Sequence, residues 1–294
     1  MTTDIYYVPK QSRWPILASI ALFILAYGAA SLINALTAGS GGGLGLSLLL
    51  TGAFCLGLIL VGWFSNVIHE SRSGLYSAQM DRSYRWGMSW FIFSEVMFFA
   101  AFFGTLFYVR MLAVPWLGGE GDKGVSNLLW LGFQAQWPLM ITPDMNAFPG
   151  PKEIIDPWHI PFVNTVILLS SSVTVTIAHK ALKLNRRGHV VGWLLATILL
   201  GVIFLSLQAI EYVDAYQEMG LTLQAGIYGA TFFILTGFHG LHVTLGTFML
   251  FVIWLRVLKG HFDPEHHFAF EAVSWYWHFV DVIWVGLFLF VYIF

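Results

Sequence analysis

Glu271 to Trp284 reads EAVSWYWHFVDVIW, and it sets three ionisable groups and a serine into a run that is otherwise apolar and aromatic. At about 100° per residue, Ser274, His278 and Asp281 fall within about 80° of Glu271 on a helical wheel. Trp275, Tyr276, Trp277, Phe279, Val280, Ile283 and Trp284 occupy the rest of the surface, and the apolar run continues to Phe294, long enough to cross a bilayer. A charge facing lipid at mid-depth costs roughly 2.5–3.5 kcal/mol, so the polar face must meet other protein or be neutralised. The remainder of the chain is read as what surrounds that face.

Working outward, 57% of the 294 residues are hydrophobic and only 10% charged, against about 25% charged in ordinary soluble domains. Mean hydropathy is +0.73. These values describe a polytopic membrane protein, all-α and a single membrane domain over 1–294. Seven spans are expected, near 15–36, 46–67, 86–109, 162–182, 190–212, 225–258 and 270–293. The first apolar block has no small-residue cleavage site and is read as a retained span.

Lys and Arg set the orientation. With the N-terminus inside, the inner segments hold Lys10, Arg13, Arg72, Arg82, Arg85, Lys180, Lys183, Arg186, Arg187, Arg256 and Lys259, while Arg110, Lys123 and Lys152 lie outside. That bias expects the N-terminus in and the C-terminus out. No basic tract suggests nucleic acid. Cys55 is the one cysteine, which excludes an internal disulfide and thiolate-held iron–sulfur clusters.

Residues 1 to 14 read as an interfacial arm, and the glycine run Gly39, Gly41, Gly42, Gly43 and Gly45 as a hairpin turn. Span two ends in Trp63 and Phe64, an aromatic pair at headgroup depth. Arg72, Arg82 and Arg85 follow, each able to meet lipid phosphate. Glu95 is the one ionisable residue between Arg85 and Arg110, either a carboxyl held by a neighbouring helix or a site residue. Seven of the ten prolines lie between Arg110 and Pro161, so this outer loop cannot be one continuous helix; a short amphipathic piece is expected over Leu128 to Trp137. Span four is rich in small hydroxyl residues, a helix-packing signature.

Glu95, Glu211, His239, His242, Glu271, His278 and Asp281 are the candidate site residues. His239 and His242 stand at i, i+3, and Gly246 continues their face as a gap for another helix. A metal centre is one reading of these groups, but a carboxylate-bridged di-iron site would want Glu-x-x-His pairs and none lies within a span. Facing lipid, the four carboxylates would together cost about 10–14 kcal/mol, so the competing reading is a buried, mutually paired network without a metal. A transporter is the third reading; its internal repeats and proline-broken spans are not found here.

The blocks SEVMFF (94–99), GFHGLHV (237–243), HHFAFEA (266–272) and WYWHFVDVIW (275–284), in this order among seven spans, resemble subunit III of the haem–copper cytochrome c oxidases. The resemblance covers nearly the whole chain. Quinol-oxidase relatives typically have fewer spans, so seven favour the cytochrome c branch, with a quinol-type oxidase as the alternative.

The resemblance implies a subunit of a proton-pumping oxidase that carries no catalytic centre, packed directly on subunit I in a complex with subunit II and others. Haem and copper belong to those partners, and this chain holds bound phospholipid, with no cofactor of its own. Its implied tasks are stabilising subunit I, binding phospholipid and supporting proton uptake. Two helices are expected to part from five around a lipid-filled cleft, in a bacterial cell membrane in preference to the mitochondrial inner membrane. Glu95 matches the family's carbodiimide-reactive glutamate. Trp63, Phe64, Arg85, Glu95, Arg256, Lys259 and His261 are the implied lipid-binding residues. The chain departs from many members at Phe64, Ser65, Asn66, His69 and Glu70. The inner loop with His261, Asp263, Glu265, His266 and His267 mixes carboxylates and imidazoles, which suits either a proton antenna or a solvated turn.

Overall fold

The structure is a computed structural model that describes residues 11–294. The interfacial arm expected over 1–14 therefore lies outside the described residues as far as residue 10. Among the described residues seven helices are long and apolar enough to span a membrane. They are α1 (Trp14–Thr37), α2 (Gly43–Arg72), α3 (Ala78–Tyr108, continuing to Leu117), α4 (Ile160–Lys183), α5 (Arg187–Gln217), α6 (Gly226–Leu258) and α7 (Phe268–Leu287).

Local chemistry sets several of the boundaries. Pro15 and Pro161 sit in the first turns of α1 and α4, where the missing N–H is no loss. In α3 the π-helical turn Val109–Ala113 precedes Pro115, which has no N–H to donate to the carbonyl four residues back. At the end of α6 the N–H of Gly260 bonds the carbonyl of Val257 and that of His261 bonds Arg256, a Schellman cap. Arg187 donates to the Val257 and Leu258 carbonyls, so the start of α5 secures the same terminus.

Several ends differ from expectation: α3 starts at Ala78 and continues to Leu117, against a span near 86–109 expected from the sequence. α2 and α5 run on to Arg72 and Gln217, because helical hydrogen bonding continues past the last apolar residue. In the loop, the helical piece is a 3-10 turn at Gly124–Leu129 instead of a helix over 128–137; Gly132, at φ 87°, breaks the segment that follows.

The chain forms two compact units, one running to Tyr84 and the other from Arg85 to Phe294. In the first, α1 and α2 pair closely: a Cβ at Gly28 would lie 2.3 Å from the backbone of Leu49, and one at Gly52 would lie 2.5 Å from that of Leu25. Small residues let backbones approach in lipid, where water supplies no drive to associate.

In the second unit α7 is the central element, the most deeply buried of the seven spanning helices. Trp277 and Trp284 are fully buried, and their indole N–H groups donate to Ser171 and Thr165 of α4 at 2.9 Å each. A Cβ at Gly246 of α6 would come within 2.8 Å of the Trp277 ring, and one at Gly201 of α5 within 2.9 Å. The indole therefore fills a gap that glycines on two helices leave open. Large apolar side chains such as Phe23, Phe54, Trp86 and Val282 face outward, as a lipid solvent requires.

Candidate functional site

The ionisable groups of α3, α5, α6 and α7 form local clusters and not one continuous network. The first lies between α3 and α6, where His242 Nε2 stands 2.9 Å from Glu95 Oε2 and Nδ1 stands 2.6 Å from the Phe238 carbonyl. Phe98, Phe99, Tyr276 and Phe279 ring this imidazole. Glu95 keeps 23% side-chain exposure.

His239 points to a different neighbour although it is only three residues away. It is fully buried, with Nε2 3.2 Å from the Val280 carbonyl of α7 and its ring against Trp284 and Phe204. Sharing a face on α6 thus does not make the two histidines joint ligands.

A third cluster links α5, α6 and the end of the seventh span. Tyr292 donates to Glu211 Oε1 at 2.7 Å, Gln208 Nε2 donates to the Thr236 carbonyl at 3.0 Å, and Tyr212 and Thr236 share a 2.7 Å bond. On the α4 side of α7, His278 Nδ1 meets Ser172 Oγ at 2.8 Å and lies 3.6 Å from Asp281 Oδ2. The polar face of α7 is thus turned toward the hydroxyl stripe of α4.

A fifth cluster sits where Lys and Arg concentrate. Glu271, in the first turn of α7, pairs through Oε2 with Arg85 of α3, whose guanidinium also lies 5.2 Å from the Phe268 ring centroid. Its Oε1 faces His267 Nε2 at 3.3 Å and His179 Nε2 at 3.6 Å. Arg85 therefore has a protein carboxylate partner in addition to any lipid phosphate.

His179 and Tyr292 are not among the residues singled out from the sequence, and Ser172 enters there only as one of span four's packing hydroxyls. Thr165, Ser172, Thr176 and His179 recur at helical spacing along span four, which is the pattern that identifies a single polar face.

The remaining candidates are more open. Phe64 is 62% exposed, Lys259 is exposed, and Arg256 lies 4.3 Å over the Phe262 ring. In the loop before α7, Asp263 Oδ1 accepts from the N–H groups of Glu265 and His266 at 2.9 and 2.7 Å. Slight burial pushes the Asp263 pKa up, but these two N–H donors and the nearby His266 ring outweigh it and hold the carboxyl below its ordinary value. His267, grouped in the sequence with His261 and His266, instead turns inward to Glu271, with 8% side-chain exposure.

The family model for cytochrome c oxidase subunit III matches residues 4–129 and 126–294. The chain belongs to this family. It is 38% identical over 288 residues to cytochrome c oxidase subunit 3 of Prototheca wickerhamii, covering 98% of this chain and 96% of that protein. The subunit 3 of Marchantia polymorpha is 37% identical over 292 residues, with 98% and 95% covered, and that of Homo sapiens 36% over 289 residues, with 98% and 96% covered. Family membership makes the chain a subunit of the cytochrome c oxidase complex, which implies other oxidase subunits as partners. It is an integral membrane protein of the respiratory oxidase.

Proposed function

We propose that this subunit packs directly on the haem- and copper-bearing subunit I, carries no electrons itself, holds phospholipid, and supports proton uptake at its Lys/Arg-rich end. The observation that carries the proposal is the internal matching of its acids. Glu95 meets His242, Glu211 meets Tyr292, Glu271 meets Arg85, and Asp281 lies beside His278. These four acids are each turned toward a group of their own chain, as a supporting subunit requires, since charge left facing lipid is costly.

The lipid reading rests on the end of α6. Arg256, Lys259 and His261 stand around a capped helix terminus, where cations suit both the helix dipole and a lipid phosphate. The proton reading rests on the loop before α7. Asp263 stays ionised there, and the neighbouring His266 is 82% exposed; histidine is the side-chain type that exchanges protons near neutral pH. The Lys/Arg distribution supports placing this end, and the N-terminus, inside.

The test is native mass spectrometry and turnover of the oxidase carrying Arg256→Gln and Lys259→Gln. Loss of retained phospholipid with an intact haem spectrum is expected. Full lipid retention would remove these residues from the lipid reading.

A further inference from the structure

We infer that His179, His267 and Glu271 form a site for a divalent transition-metal ion of the zinc type. The three offer one ligand atom each, and these atoms all lie within 4.8 Å of one another. They come from the last turns of α4, the residue before α7 and the first turn of α7, with His267 and Glu271 at i, i+4.

The geometry is that of a coordination shell more than of a hydrogen-bonded one. His179 Nε2 and His267 Nε2 are buried and have no hydrogen-bond partner, yet both face the same Glu271 oxygen at 3.6 and 3.3 Å. Tetrahedral zinc with bonds of about 2.0–2.1 Å places its ligand atoms roughly 3.3 Å apart, which matches these separations. The imidazole rings meet edge to face at 5.3 Å between centroids.

Arg85 completes the arrangement from outside. It occupies Oε2 of Glu271 and so leaves Oε1 aimed at the two histidines, as the outer partners of metal-bound carboxylates do. At 37% exposure its charge is shared with solvent, which limits repulsion of a bound cation. The remaining side chains are 21%, 8% and 12% exposed, enough to admit an ion and a fourth ligand from water.

Two nitrogens and one carboxylate oxygen suit zinc; calcium and magnesium prefer all-oxygen sets, and copper(I) prefers sulfur. Zinc is redox-inert, so the site adds no electron centre. It pins the end of α4 to the start of α7.

The test uses the whole oxidase complex, stripped with a chelator and re-equilibrated with Zn²⁺ alone. Zinc content, affinity by chelator competition and an anomalous difference map at the zinc edge are compared for wild type, His179→Gln and His267→Gln. Wild type should hold one zinc more per complex than either variant, with a peak between the three side chains. Each variant should lose more than about 100-fold in affinity at this site, exceeding the effect typical of an outer partner. Equal zinc in all three complexes, or no peak at this position in zinc-saturated wild type, overturns the inference. Should one histidine variant fail to assemble, the other and the wild-type map still decide.

Discussion

His242 and Glu95 meet side chain to side chain between α6 and α3, with Nε2 2.9 Å from Oε2. The His242 Nδ1 lies 2.6 Å from the Phe238 carbonyl, which can only accept, so Nδ1 carries hydrogen. That leaves Nε2 for the hydrogen bond with Glu95 Oε2. Glu95→Gln keeps a donor toward Nε2 and should assemble with near wild-type thermal stability. Glu95→Leu leaves the imidazole nitrogen unmatched and should cost about 1–3 kcal/mol. Thermal unfolding of both variant complexes checks this; a Gln variant that fails to assemble would show that the charge itself is required.

Glu271 is 12% exposed while Arg85 is 37% exposed. Breaking a fully buried pair costs roughly 3–5 kcal/mol, and exposure of the guanidinium reduces that. Arg85→Met should therefore destabilise the complex by about 1–3 kcal/mol. A double-mutant cycle with Glu271→Gln measures the coupling. Zero coupling would mean that Arg85 spends its charge elsewhere.

Trp277 cannot retreat from α6, because its N–H is held by Ser171 at 2.9 Å and its ring is fully buried. Gly246→Val should consequently cost about 1–3 kcal/mol by overpacking. Gly104→Ala, whose new Cβ has nothing within 4 Å, is the matched control and should be neutral. Yield and thermal stability of the assembled oxidase compare the two; equal behaviour would deny the close packing.

The Asp263 turn gives a pH dependence. Two N–H donors depress the folded pKa of this carboxyl, so its contribution is present above the unfolded value of about 3.9 and is lost as pH falls through the folded value. Protection of the Glu265 and His266 amides from hydrogen exchange should hold above about pH 4 and fade below it. Asp263→Asn should flatten that acid transition, and an unchanged profile would assign it to another group.

Much of this fold is legible in the sequence because lipid makes the rules strict. Apolar blocks between charged residues mark the helices, and the lone polar face of EAVSWYWHFVDVIW requires a protein partner. Which partner is not readable, because it depends on how helices rotate about their axes. His239 and His242 share a face in sequence yet reach α7 and α3 respectively. Ser171 and Ser172 announce close packing, but not that one accepts from Trp277 and the other meets His278. His179 is not legible as a site residue because it sits beside Lys180 and Lys183 at a helix end, where a polar residue looks merely solvated.

The most direct test is the haem spectrum and turnover of the oxidase from which this subunit has been removed. If this subunit supports the complex while the electron chemistry lies next door, the spectrum and initial rate should be unchanged while turnover decays sooner. Immediate loss of haem absorbance would place part of the redox centre's support in this chain and contradict that view.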